Sequence, residues 1–229
     1  MTITTPDAEV LERLLAERHS CRAFLPGPVP REVLESILRT AQRTSSWCNS
    51  QAWQVHIAGG AACDRLRSAL LEAAGACQRG GSDFPFPSEY TGVYLARRRE
   101  CGFALYNAVG VERGDKVGYA MQAMENFRLF GAPQVAILSS DPGLGVYGAV
   151  DVGGYVQVLL LAMQAHGVAA IPQAALAGHS ALVKAQLGIP AERPMVCGIS
   201  FGYEDTSHTA NSYRTTRAPL SEAVTFVDA

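Results

Sequence analysis

The chain has 229 residues, is 48% hydrophobic and 17% charged, and carries 19 Lys+Arg against 21 Asp+Glu. That length and apolar content predict one compact domain with a sizeable core. The near-balanced charge excludes the broad basic field of a nucleic-acid or anionic-membrane binder, so any anion site must be local.

The stretch 1–6 lacks a basic region leading into an apolar one, which reads as no secretion signal, and no uninterrupted apolar run reaches the roughly 18 residues of a membrane span. Six cysteines (Cys21, Cys48, Cys63, Cys77, Cys101, Cys197) are scattered without a C-x-x-C pair, and the five histidines lack ligand spacing. Reduced thiols, no metal and a cytoplasmic location are expected.

Along the chain, Val10, Leu11, Leu14 and Leu15 share one face of a helix over 9–17. Arg18-His19-Ser20-Cys21-Arg22-Ala23-Phe24 follows, placing two guanidiniums, an imidazole and a hydroxyl together. The planar donor fork of arginine matches phosphate oxygens two at a time. The cluster reads either as half of an anion clamp or as a solvated helix end.

A Pro-rich break at 25–30 precedes a helix whose buried side carries Val33, Leu34, Ile37 and Leu38. Residues 45–50 form a loop, 54–58 a strand and 61–78 a helix. The Gly-, Pro- and aromatic-rich stretch 79–94, beginning at Arg79, is either a lid over a pocket or a surface connection pinned by its aromatics. The variable segment as a whole spans 79–117. Helical patterns cover 95–109 and 116–130, and 135–139 is a strand.

A long, nearly all-apolar helix over 147–166 is expected to be central and buried. Strands over 169–171 and 195–200 flank a helix at 179–186. The polar tail beyond Tyr203 ends in apolar 224–227. Gly143-Leu144-Gly145-Val146-Tyr147-Gly148 matches the dinucleotide pattern G-x-G-x-x-G. However, the acid that should follow about 20 residues later is absent, so the motif reads as a turn and helix start.

Three further segments carry chemistry. Ser45-Ser46-Trp47-Cys48-Asn49-Ser50-Gln51-Ala52-Trp53 places polar groups between tryptophans. Ala170-Ile171-Pro172-Gln173-Ala174-Ala175-Leu176-Ala177 offers mainly backbone. Asn211-Ser212-Tyr213-Arg214-Thr215-Thr216-Arg217-Ala218-Pro219-Leu220 adds two arginines. Together with Arg18 to Phe24 and the stretch Cys197-Gly198-Ile199-Ser200-Phe201-Gly202-Tyr203, they resemble the nitroreductase family of FMN-dependent flavoproteins over nearly the whole chain.

The resemblance implies an α+β, α/β/α sandwich with a mostly antiparallel central sheet flanked by helices, in an intertwined homodimer with shared active sites. It implies FMN as cofactor and NADPH or NADH as reductant, delivering hydride through flavin N5 to an electrophilic aromatic acceptor such as a nitroaromatic or quinone. The phosphate would be held by Arg18, His19, Ser20, Arg22, Arg217 and Arg214. Ser46, Asn49 and Gln51 would reach the ribityl chain and ring from the other subunit. Pro172, Gln173, Ala174 and Ala175 would line the ring, with the backbone N–H of Ala174 at N5.

No side chain is expected to act as catalytic acid or base. Trp47, Phe84, Phe86, Tyr119 and Phe127 are candidate substrate-pocket residues. His19, Ser45 and Ala52 depart from the family's usual residues. Open alternatives are a reductive dehalogenase or flavin-fragmenting enzyme on the same scaffold, a non-catalytic FMN sensor or store, and a dinucleotide-binding dehydrogenase.

Overall fold

A computed structural model describes residues 5–77 and 80–227. The expected starting point of the lid at Arg79 and helix end at Gln78 lie outside the described residues. Four strands, β1 (Gln54–Gly59), β2 (Gln134–Ser139), β3 (Ala169–Gln173) and β4 (Met195–Gly202), pair antiparallel in the order β1-β2-β4-β3.

Strand periodicity builds two cores. On central β2 every residue is buried, and successive side chains point to opposite faces. Ala136 and Leu138 join Leu34, Ile37, Val152, Tyr155, Leu159 and Met163 on one face. Val135 and Ile137 join Cys63, Leu66, Leu70, Leu176 and Val183 on the other. Helices α2 (Arg31–Ala41) and α6 (Gly145–Ala165) thus cover one side; α3 (Ala61–Gly75) and α7 (Ser180–Leu187) cover the other. A sheet buried on both faces between helices is an α/β/α sandwich.

Gly198 shows how tightly the second layer sits. A Cβ there would collide with the Leu176 side chain and approach Ile137 Cδ1 at 3.3 Å.

The expected helix over 116–130 ends early. Helix α5 spans Lys116–Met124, and Leu129, Phe130 and Gly131 then adopt φ of 56°, 52° and 74°. This reversal feeds the chain into β2 and buries Leu129 and Phe130, a gain that offsets the left-handed backbone. Helix α6 is also less buried than expected. By length and hydropathy Pro142–Ala165 could cross a membrane (mean hydropathy 1.5). Instead it packs on the sheet through Val152, Tyr155, Leu159 and Met163, while Val146, Tyr147 and Val150 face outward. Helix α1 (Pro6–Glu17) likewise leaves Val10, Leu11 and Leu15 exposed.

The glycine pattern at 143–148 is a 3₁₀ turn leading into α6. The strand before it pairs only antiparallel, unlike the parallel unit of a dinucleotide fold. Gly148 is needed for packing, since a Cβ would meet the Ser140 hydroxyl and the Leu144 side chain.

The variable segment is anchored at its base. Lys184, 5% exposed, donates to both Asp83 carboxylate oxygens at 3.0 and 3.1 Å and to Ala191 O at 2.8 Å. Asp83 also accepts from the Met195 amide at 2.8 Å. Helix α4 (Gly92–Ala108) follows, three residues earlier than its pattern suggests.

All six cysteines are free. Burial pushes the Cys21 and Cys197 thiols up to about 12 and raises Cys63 as well. At about pH 8, iodoacetamide should therefore modify exposed Cys48 and Cys77 in the native protein, and Cys21, Cys63 and Cys197 only after unfolding. Rapid native modification of Cys197, read by peptide mass mapping, would contradict this packing.

Candidate active site

The basic cluster is placed by segments far from it in sequence. Leaving α1, the chain runs along the outer edge of β3: Ser20 bridges Ala170, and the Cys21 amide donates to Ala170 O at 3.1 Å. This covers a sheet edge that would otherwise leave unpaired backbone groups. Phe24 then bridges Glu204, and the Leu25 amide donates to Tyr203 O at 2.8 Å.

Asn211 ties the arrangement together. It is 4% exposed, accepts from the Arg22 amide at 2.7 Å, and donates to Ala23 O and Asp205 O, each at 2.9 Å. Arg22 is thereby fixed next to the tail that carries Arg214 and Arg217. Asn211 was missed as a positioning residue. An asparagine two residues before Tyr213 has no distinguishing local pattern.

Arg18, His19, Ser20, Arg22, Arg214 and Arg217 all line one cavity of about 290 Å³, closed by Tyr213, Thr215, Cys101 and the end of α1. Four of the lining residues are arginines and none is acidic. Among the described residues none of those four forms an ion pair. Their hydrogen bonds go to neutral oxygens: Arg22 Nη1 to Ser20 O at 3.1 Å, Arg214 Nη1 to Asn211 O at 2.7 Å, Arg217 Nη1 to Thr216 O at 2.8 Å and Thr215 Oγ1 at 3.0 Å. Burial, and then the charge of Arg217, lower the Arg18 pKa from its ordinary value. Concentrated positive charge without a carboxylate calls for an anion.

His19 belongs to the cavity wall, yet its ring is engaged elsewhere. Nδ1 lies 3.0 Å from Glu17 O and Nε2 lies 2.9 Å from Glu204 Oε1.

Residues 46–51 form a loop with left-handed backbone at three side-chain-bearing positions. Cys48, Asn49 and Gln51 have φ of 51°, 56° and 50°, left-handed values costly for residues with a side chain. The loop is held by the Gln51 amide donating to Ser46 Oγ at 2.9 Å and by Asp151 of α6, which accepts from the Trp47 amide and Ser50 Oγ at 3.2 Å. Gln42 donates to Gln51 Oε1 at 3.0 Å and accepts from Trp53 Nε1 at 3.1 Å; Trp53 stacks on Tyr155 at 4.9 Å. Asp151 was missed by sequence reasoning; the signal that could have found it is a lone acid in an otherwise uncharged helix. None of Ser46, Asn49 and Gln51 lines the arginine cavity of its own chain.

At the end of β3 the side chains alternate. Gln173 turns inward, 2% exposed, accepting from Ser200 Oγ at 2.5 Å and donating to Asn126 O at 2.9 Å. Pro172 and Ala174 face outward and Ala175 is half-buried. Ala174 opens a 3₁₀ turn, where the first amide has no partner inside the turn.

The candidate aromatics are dispersed. Trp47 packs edge-on against Tyr147 at 4.3 Å, Tyr119 lies on Tyr106 at 4.4 Å, and Phe127 meets the His179 ring at 5.1 Å. Phe86 lies near Gly178, just after Ala174 and Ala175. The Phe84 backbone oxygen accepts from Ser82 Oγ at 2.7 Å.

The family model described as the Nitroreductase family matches residues 15–203. The chain belongs to the nitroreductase family. Nitroreductase NfnB of Mycolicibacterium smegmatis is 40% identical over 220 residues, covering 96% of this chain and 93% of that protein. A 4-nitrobenzoate reductase of Pseudomonas putida is 31% identical, covering 95% and 94%. The crystal structure of the FMN-dependent nitroreductase NfnB from Mycobacterium smegmatis in complex with NADPH superposes with a TM-score of 0.91 at 38% identity, covering 96% of this chain and 99% of that one. The family match includes the opening cluster, the strained loop and the Pro172–Ala175 segment. It stops before Tyr213, Arg214 and Arg217, which the fold brings to the same cavity, and before Asn211, which holds the Arg22 backbone beside them.

Proposed function

We propose that the chain is an FMN-dependent oxidoreductase that passes hydride from NADPH or NADH to a nitroaromatic or quinone acceptor, in a cytoplasmic homodimer with shared active sites. The observation that carries this reading is the cavity of four arginines without a carboxylate. Its donor set suits the phosphate of FMN: guanidinium forks from both ends of the chain and the hydroxyl of Ser20. The outward-facing, uncharged Pro172 and Ala174 suit a flat ring, with the Ala174 amide available to a ring nitrogen.

Bound there, FMN supplies the hydride-carrying chemistry that no side chain provides. Arg18, Arg22 and Arg217 hold the phosphate, Arg214 steadies the tail, and the strained loop bearing Ser46, Asn49 and Gln51 reaches the site of the partner subunit.

A second copy also accounts for the uncovered apolar surface. Val10, Leu11 and Leu15 of α1, Val146, Tyr147 and Val150 of α6, and the tail residues Phe226 and Val227, 77% and 92% exposed, all await a partner.

The purified protein should be yellow. NADPH or NADH should bleach its flavin band without oxygen, and a nitroaromatic such as 4-nitrobenzoate should restore it. A colourless protein, or a flavin band that neither nicotinamide bleaches, rejects the reading. A flavin-loaded monomer on a sizing column rejects the shared site.

A further inference from the structure

We infer that the Tyr213 hydroxyl is a further ligand of the phosphate, donating a hydrogen bond to the anion held by Arg18, Arg22 and Arg217. The inference rests on the FMN reading above and adds a residue that its arginine motifs do not contain.

Tyr213 lines the same cavity as the four arginines. Its hydroxyl is one of two buried side-chain groups, with His56 Nδ1, that lack a hydrogen-bond partner among the described residues. A buried hydroxyl without a partner costs free energy that folding must supply from elsewhere, so such groups are rare in native proteins.

Nothing about its surroundings suggests a loosely placed side chain. The Arg22 guanidinium lies 5.5 Å from the centre of the Tyr213 ring, in cation–π range. The Tyr213 carbonyl accepts from Arg214 Nη1 at 2.9 Å, and the buried Asn211 fixes the backbone two residues earlier. The Tyr213 side chain therefore forms part of the wall of a cavity rich in cationic donors, and its hydroxyl, closed to solvent beside Arg22, has no acidic acceptor of its own; an anion that draws the Arg22 guanidinium toward itself would open the hydroxyl to that anion. Burial raises the phenol pKa above its ordinary value, so the group remains protonated and able to donate. A phosphate oxygen is the acceptor this cavity is built to receive, and it would satisfy the hydroxyl as it satisfies the arginines.

Tyr213→Phe removes only the hydroxyl and keeps the ring beside Arg22. FMN and riboflavin affinities of the apoprotein, measured by quenching of flavin fluorescence, separate the phosphate from the ring. The variant should bind FMN roughly 5- to 20-fold more weakly, the scale of one hydrogen bond to a charged group. Riboflavin affinity should not change, and the melting temperature of the apoprotein should stay level or rise.

An FMN affinity within twofold of wild type overturns the inference, as does an equal loss for riboflavin, which would mean the ring packs against the isoalloxazine or ribityl part. If the variant does not fold, 3-fluorotyrosine placed at position 213 gives the second measurement. Its ¹⁹F resonance should move on adding FMN and stay put on adding riboflavin; a resonance unmoved by FMN overturns the inference. Wild-type protein that binds riboflavin as tightly as FMN would instead refute the phosphate reading itself.

Discussion

Arg217→Ala is expected to raise the dissociation constant for FMN by roughly 30- to 150-fold, about 2–3 kcal/mol, while leaving the apoprotein as stable as wild type or slightly more so. The two effects have opposite signs for one reason. In the unliganded cavity Arg217 opposes Arg18: its charge lowers the Arg18 pKa, second only to burial. No carboxylate lines the cavity to offset either charge. Deleting one guanidinium relieves that repulsion, so the loss appears only when the anion binds.

Arg18→Ala should behave alike, and the two losses should not add, because both arginines would contact one phosphate. Fluorescence of released FMN gives the affinities and a melting curve gives the stability. If both variants bind FMN within threefold of wild type, the phosphate lies elsewhere. If the apoproteins are instead strongly destabilised, the arginines are structural and the anion is incidental.

Asn211→Ala is expected to be the most destabilising single change near the site, at roughly 3–4 kcal/mol. It would leave the Arg22 amide and the carbonyls of Ala23 and Asp205 without the partners they have at 2.7, 2.9 and 2.9 Å. For a chain of this size that corresponds to a fall in melting temperature on the order of 10 °C. FMN affinity should fall as well, because the same hydrogen bonds hold Arg22 against the tail.

Asn211→Asp separates the contributions. It keeps the acceptor for the Arg22 amide but sets a carboxylate oxygen against the Ala23 and Asp205 carbonyls in a buried place, and should destabilise at least as much as alanine. A melting temperature within about 2 °C of wild type for Asn211→Ala would show that the contact is dispensable.

The secondary elements were legible where packing follows the local period. The apolar, partly β-branched run over 135–139 announced a strand, and the structure divides Val135, Ala136, Ile137 and Leu138 between the two cores. The spacing of Leu34, Ile37 and Leu38 likewise marked one side of α2. Local periodicity failed where a distant surface set the outcome. Residues 125–130 look helical, yet entry into β2 forces Leu129 and Phe130 into left-handed backbone. The nearly all-apolar sequence of α6 predicts burial, yet Val146, Tyr147 and Val150 in its first turns stay more than half exposed.

At the site, residue types were readable and directions were not. Gln173 was expected to line the flavin ring; the strand register points its side chain at Ser200 and Asn126, while Pro172 and Ala174 face outward. His19 was expected at the phosphate; it lines the cavity with its ring nitrogens against Glu17 and Glu204.

The resemblance of its motifs to the nitroreductase family implied the α+β fold; the amino acids by themselves determined the guanidinium-rich segments at both ends and the succession of helical and strand patterns. Those properties are written in side-chain chemistry and in periods of two and 3.6 residues, which neighbouring residues carry between them. Only the tertiary structure decided that Arg22 and Arg217, some 195 positions apart, share one cavity with Tyr213. That closure depends on pairing Ser20 and Cys21 with the edge of β3, on pairing Phe24 with Glu204, and on three hydrogen bonds to a buried asparagine. These contacts join residues remote in sequence, so they follow from which surfaces remain unpaired once the two cores have formed.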